Sequence, residues 1–241
     1  MTSRSGPGER RRRKPTKTGV ILTEELIVTT ASNVVRLHGS SGLSARRLGL
    51  ALGADPSAIY RYFPSIDELK LAVADELIGR ALADWTTSGD WKRDLRELGS
   101  LTHATYLRDP QIAVLAASRV TGRPNETAIV DRVIGVLRRA GFPDGSAARI
   151  YRVIIDQMLA FAALDGAEFA LPDETRAADN AKWASVYAQL TDDSHPNITA
   201  VAPHLVTIGN RSAYAMALEL LLDGVEAMLA EVTSFNAIDT P

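Results

Sequence analysis

The chain has no cysteine, which removes disulfide frameworks, thiol catalysis and cysteine-ligated zinc and suits a reducing compartment. It also lacks a long apolar run. The basic cluster at residues 10–14 looks like the start of a secretion signal, but only Val20, Ile21 and Leu22 follow before Thr23, Glu24 and Glu25. The most apolar late stretch, 213–230, carries Glu219, Asp223 and Glu226, so it is a buried helix and not a membrane span. No segment alternates as a strand would, and no internal repeat is found. Chemistry-bearing sets are missing too. There is no glycine-rich phosphate loop after a strand, no Ser/His/Asp or Cys/His arrangement, and no His/Glu pair at metal-binding i,i+4 spacing. Asp192, Asp193, Ser194 and His195 are clustered, but beside Pro196 they read as a loop. The expectation is a cytoplasmic protein that is not an enzyme, needs no cofactor or metal, and does not engage a membrane.

What is present begins with charge. The net charge of -2 conceals an asymmetry: residues 1–17 hold seven basic side chains (Arg4, Arg10, Arg11, Arg12, Arg13, Lys14, Lys17) against Glu9. Residues 18–64 are nearly balanced, so the rest of the chain is acidic. A basic front on an acidic body suits a polyanion bound at one end. Residues 1–19, rich in Gly, Ser, Pro and Arg, read as a disordered arm.

Helix signals dominate the remainder. Thr23 can cap a first helix whose apolar stripe is Leu26, Ile27, Ala31, Val34 and Val35, ended near Gly39. Ser44 can cap a short second helix with Leu48, Ala51 and Leu52 inward, closed by Gly53. Asp55 and Pro56 open a third helix with Ile59 and Phe63 on one face, and Pro64 stops it. Ser65 and Glu68 make a capping box for a fourth, running through Leu69, Val73, Leu77 and Ala81 towards Trp85. Further helices are expected over 90–108, 110–120, 125–140, 146–168, 173–190 and 210–233, with 195–203 read as a break. The fold class is therefore all-α, with a three-helix helix-turn-helix domain over 20–66 and a larger helical domain over 67–241.

Two short helices around the turn Gly53-Ala54-Asp55 have the shape of a helix-turn-helix. With Ile59 and Phe63 inward, Ser57, Ala58 and Arg61 project outward, and small or basic residues suit close approach in a major groove. Ser44, Arg46 and Arg47 sit where the second helix would cross the phosphate backbone, and Tyr60 and Tyr62 offer hydroxyls to phosphates from the flanks.

The run Gly42-Leu43-Ser44-Ala45-Arg46-Arg47-Leu48, then Leu52-Gly53-Ala54-Asp55-Pro56-Ser57-Ala58-Ile59-Tyr60-Arg61-Tyr62-Phe63, then Glu68-Leu69, resembles the DNA-binding domain of the TetR family over residues 23–72. The later stretch from Leu220 to Ala227 resembles the last helix of a subgroup that includes the tetracycline repressors. The resemblance implies a transcriptional repressor that binds a palindromic double-stranded DNA operator as a homodimer and is released by a small effector. It also implies that the last long helices form an intersubunit four-helix bundle. Two positions depart from the family pattern: Ile66 stands where a phosphate-gripping lysine is usual, and Gly49 where alanine is usual. Where tetracycline repressors place a metal-binding histidine, this chain has Val114-Leu115-Ala116-Ala117, which argues against a magnesium-tetracycline ligand. The alternative is a constitutive dimeric DNA-binding protein without a ligand.

In the larger domain, His103, Tyr106, Arg119, Tyr151 and Gln157 are the candidate effector contacts, because they interrupt apolar helical stretches. His204 has the same character, whereas Trp85, Phe161 and Trp183 read as core. The effector expected is small and largely apolar. Tyr214, Leu218, Leu221, Leu222, Val225, Met228, Leu229 and Val232 make a surface wider than one core-facing stripe needs, so a homodimer through 146–168 and 210–233 is expected.

Overall fold

The computed structural model describes residues 21–208 and 212–238, with side chains as far as Glu231. The basic arm 1–19 and the Val232 side chain lie outside the described residues. Two compact units meet between Val73 and Ala74.

In the first unit, α1 (Glu24–His38) starts where Thr23 accepts a hydrogen bond from the Leu26 amide, and its inner face is Ile27, Ala31, Val34 and Val35. α2 (Ala45–Leu52) is capped by Ser44 and ends at Gly53, whose left-handed backbone (φ 61°, ψ 31°) lets the chain reverse within a residue. The expected third helix is a 3₁₀ segment, Pro56–Arg61, begun by Asp55. The reason is its confinement: only eight residues separate Asp55 from Pro64, and the residue before a proline resists the helical region, so no regular i→i−4 ladder can develop. Ile59 and Phe63 are nonetheless buried as the spacing required. The next helix, α3 (Ile66–Ala83), begins where Ser65 accepts from the Glu68 amide at 3.1 Å, and it runs through the boundary between the units.

The second unit holds α4 (Trp91–Arg108), α5 (Pro110–Ser118), α6 (Pro124–Arg139), α7 (Asp144–Phe169), α8 (Asp173–Tyr187), α9 (Pro196–Ile208) and α10 (Tyr214–Ile238). No strand occurs among the described residues. Its core joins Trp85, Leu95, Leu98, Leu137, Ile154 and Leu222, so α4, α6, α7 and α10 share one apolar interior. The C-terminal end of α3 is fixed by two carboxylates. Asp75, 5% exposed, accepts from the Glu126 amide at 2.9 Å and from Asn125 Nδ2 at 3.0 Å, and so caps α6 from a different helix. Arg80 donates to Asp109 at 2.6 Å, at the corner between α4 and α5.

Three expectations are corrected. The stretch 195–203 is not a break: α9 takes Pro196 in its first turn, where no amide is needed, and continues past Pro203 at the loss of one backbone bond. Trp183 is not core but 54% exposed on α8, and neither α8 nor α9 buries a residue. On α10, Tyr214, Leu218, Leu222 and Val225 are all buried in their own unit, while Met216 and Leu220 are 70% and 68% exposed. The α10 residues committed to the intramolecular core are thus one helical step away from those left exposed.

Candidate nucleic-acid interface and effector site

The surface of the first unit is built from its caps outward. Ser44 spends its hydroxyl oxygen on the Arg47 amide at 3.3 Å, and Arg47 Nη1 donates to the Gly42 carbonyl at 2.6 Å, which folds that guanidinium over the start of α2. Arg46, beside it, is exposed and has no hydrogen-bond or ionic partner among the described residues. Across the turn, Asp55 accepts from both the Ser57 amide (2.8 Å) and the Ser57 hydroxyl (2.6 Å), so Ser57 can offer a ligand only lone pairs. Ala58 is half-buried, Tyr60 is half-exposed, and Arg61 is exposed with no protein partner among the described residues. Tyr62 donates its hydroxyl to the Leu22 carbonyl at 2.6 Å. That phenol ties the entry of α1 to the 3₁₀ segment, and only its oxygen lone pairs remain for a phosphate.

Two guanidiniums without counter-charge, on elements held by three separate caps, are groups whose positive charge the unit does not use for itself. The close approach of those elements also explains Gly49. A Cβ there would stand 2.9 Å from the Ala54 carbonyl oxygen and 3.0 Å from Pro56 Cγ, so alanine would force α2 away from the turn.

In the second unit, His103 Nε2 lies 2.6 Å from Asp165 Oδ2, and the His103 ring stacks on Tyr214 with centroids 4.3 Å apart. Asp165, 4% exposed, also accepts from the Ser212 hydroxyl at 2.5 Å, and Ser212 Oγ in turn accepts from the Tyr214 amide at 3.1 Å. Tyr106 is fully buried, and burial followed by the Glu126 charge raises its phenol above the ordinary range. Tyr151 is half-buried and shifted upward by the same two causes in the same order. Gln157 turns Oε1 into a buried position without a partner. Arg119 closes α5 at an exposed position, and His204 is exposed on α9.

The His103 neighbourhood contains residues outside the expected effector contacts: Thr102, Asp165, Ser212 and Tyr214. Asp165 has a signal in the sequence, a carboxylate inside the apolar run from Phe161 to Gly166. Tyr214 falls among the residues expected at the dimer surface. Among the described residues no group of three or more His, Asp or Glu could hold a metal ion.

Residues 27–73 match the family model described as bacterial regulatory proteins, tetR family, and residues 85–229 match the tetracyclin repressor-like C-terminal domain. The chain belongs to the TetR family of transcriptional regulators. Among curated TetR-type relatives, the HTH-type transcriptional repressor DrrR1 of Streptomyces coeruleorubidus is 30% identical over 139 residues, 57% of this chain and 50% of that protein. The chain thus spans about half the length of that relative, and 61% of an HTH-type transcriptional regulator from Saccharopolyspora erythraea. A possible TetR family regulator from Streptomyces coelicolor A3(2) superposes with a TM-score of 0.70 at 26% identity, over 86% of this chain and all of that one. The Streptomyces coelicolor TetR family protein ActR, in complex with actinorhodin, gives 0.75 at 23% identity over 86% of this chain and 98% of its own, a likeness of fold. In this TetR-family chain no helix among the described residues is long and apolar enough to cross a membrane.

Proposed function

We propose that this chain is a repressor that binds a palindromic operator as a homodimer, in the cytoplasm, and releases it when a small molecule occupies the unit 74–241. The observation that carries the DNA half is the pair Arg46 and Arg61: exposed, uncompensated, and set on the two arms of the helix-turn-helix. Arg46 is placed for phosphate, and Arg61 for a guanine edge in the major groove. Ser44, Arg47, Ser57, Ala58, Tyr60 and Tyr62 complete the interface, with Arg47, Tyr60 and Tyr62 reaching phosphates from its flanks.

The homodimer is supported by two outward stripes at helical spacing. On α7 these are Val153, Ala160, Leu164 and Ala167, and on α10 Met216, Leu220, Gly224 and Ala227, all exposed in the single chain. Two such stripes side by side are what a two-fold four-helix contact requires. Palindromy follows, since a two-fold dimer presents its recognition segments about 34–36 Å apart to successive major grooves.

Release runs through α3, a single helix that spans the boundary at residues 73 and 74. An effector that favours a displaced α3 carries the displacement along continuous backbone to residues 66–73, and only a differential affinity for that state shifts the equilibrium. The names of the relatives support the reading: DrrR1 is called a repressor, and ActR is described with a bound small molecule. The test is selection of a DNA site from random duplexes, followed by titration with compounds that raise the melting temperature. Expected are a palindromic site, a 2:1 complex, and release by at least one stabilising compound. If every stabilising compound leaves affinity for the selected site unchanged, the chain is the constitutive dimeric binder instead.

A further inference from the structure

Among the described residues of the second unit, five buried side-chain atoms have no hydrogen-bond partner: Arg80 Nε and Nη2, whose guanidinium is held by Asp109 through Nη1, and three on neutral groups, Thr102 Oγ1 on α4, Gln157 Oε1 on α7 and Tyr214 Oη on α10. Thr102 and Tyr214 are only 5% and 4% exposed. Folded proteins rarely leave such groups unpaired, because each loses its water without replacement. The three come from helices that converge. A Cβ built at Gly99, one turn before Thr102, would stand 2.7 Å from Tyr214 Oη and 3.1 Å from Met158 Cε, and Met158 directly follows Gln157. The Tyr214 ring stacks on His103 and meets Phe161 at 5.6 Å, one turn beyond Gln157.

Resting on the sensor reading above, we propose that Thr102, Gln157 and Tyr214 form the hydrogen-bonding floor of the effector site, and that the effector is an uncharged aromatic bearing a free phenolic hydroxyl and a carbonyl. Each part of that description comes from the groups present. An amide oxygen only accepts, so Gln157 Oε1 requires a donor on the ligand, while the Thr102 and Tyr214 hydroxyls can donate to a carbonyl. The ring faces of His103, Phe161 and Tyr214 supply aromatic contact area. An anionic ligand finds no unmatched cation there: Arg96, one turn before Gly99, is held by Glu219 at 2.5 and 2.9 Å, and His103 already faces the buried Asp165 carboxylate. Burial raises the Tyr214 phenol, which keeps it protonated and able to donate. Tyr214 is also the first residue of α10, and its amide donates to Ser212 Oγ, whose hydroxyl in turn donates to Asp165, so the floor is tied to the start of that helix.

The experiment is calorimetric titration of the full chain with three matched anthraquinones, buffered on the acid side of neutrality so that phenols stay protonated. Emodin carries a free phenol. Chrysophanol lacks that hydroxyl, and rhein carries a carboxylate where chrysophanol has a methyl. Emodin is expected to bind about tenfold tighter than chrysophanol, and rhein weakest of the three. Tyr214→Phe and Thr102→Val should each lose about fivefold to tenfold in emodin affinity. Both variants, without ligand, should melt at the parent temperature or above it, because each deletes an unsatisfied group. The proposal is overturned if emodin does not bind, if it binds no better than chrysophanol, or if the variants bind it as the parent does. It is equally overturned if the ligand-free variants melt lower, since the hydroxyls would then already be satisfied by ordered water. A parallel arm measures release from the selected DNA. Emodin binding that depends on both hydroxyls but releases nothing upholds the site and sinks the sensor reading. Release by another compound with no emodin binding does the reverse.

Discussion

At the scale of single residues, the proposed interface gives Arg46 and Arg61, of equal charge, different tasks that substitution should separate. Arg61→Ala should cost about 1–3 kcal/mol on the selected operator and relax preference at one base position per half-site, with random DNA bound as before. Arg46→Ala should weaken all duplexes together and flatten the slope of log affinity against log salt by about 0.9 for each phosphate it ceases to neutralise. Titrations of both variants at several salt concentrations, on operator and scrambled duplexes, check the division, and equal weakening of the two duplexes by Arg61→Ala refutes its base-reading role. Gly49 gives a sharper case. Helix propensity alone makes Gly49→Ala stabilising by about 1 kcal/mol, yet the new Cβ would lie 2.9 Å from the Ala54 carbonyl oxygen. Denaturant unfolding should therefore show a net loss.

These residues are legible in the sequence because the motif fixes their spacing to buried neighbours: once Ile59 and Phe63 point inward, Arg61 must point outward. The Tyr62–Leu22 bond is not legible, as 40 positions separate its ends. Nor is the grouping of Thr102, Asp165 and Tyr214, which only the packing of α4, α7 and α10 brings about.

Among elements, the helices announce themselves through caps and apolar periodicity, and two departures from expectation both involve proline. Before Pro64 the chain is too confined for a full α-helix. Pro196 and Pro203 suggest a break, although one stands in a first turn and the other sacrifices a single bond. The cap on α6 has no local signature, since it comes from α3, 51 residues before Glu126. Asp75→Ala would leave the half-buried first-turn amides of α6 without this acceptor and should destabilise the protein by about 1–3 kcal/mol in urea unfolding.

The α4–α10 contact is of a weaker kind. Arg96 holds the Glu219 carboxyl below its usual range, chiefly by their hydrogen bonds. The contribution is therefore present above the ordinary carboxylate pKa and lost as the pH falls through the lowered one. With side chains 41% and 45% exposed, solvent screens the pair, and Glu219→Gln should cost under about 1 kcal/mol near neutrality. Unfolding measured at low and high salt should show that difference shrinking as salt rises.

For the whole molecule, the proposed homodimer rests on the outward stripes of α7 and α10. Leu220→Glu places a charge at a position 68% exposed in the single chain, so the protomer should fold while sedimentation reports a monomer. Leu222→Glu, at a position with no exposure, should instead fail to fold, and the contrast separates interface from core. Deleting residues 1–17 removes seven basic side chains and should lower affinity for every DNA sequence alike, leaving discrimination intact.

The helices α8 and α9 lean on each other and commit no side chain to the interior. A segment so lightly invested unfolds locally at small cost, long before the body that carries it. Its amides should exchange with deuterium first, and trypsin should nick the native chain early at Lys182, on the exposed face of α8. Dilution then becomes informative: a half-life of intact chain that lengthens with protein concentration would identify the segment as shielded in the oligomer, whereas a constant half-life would mark it as a free-standing appendage.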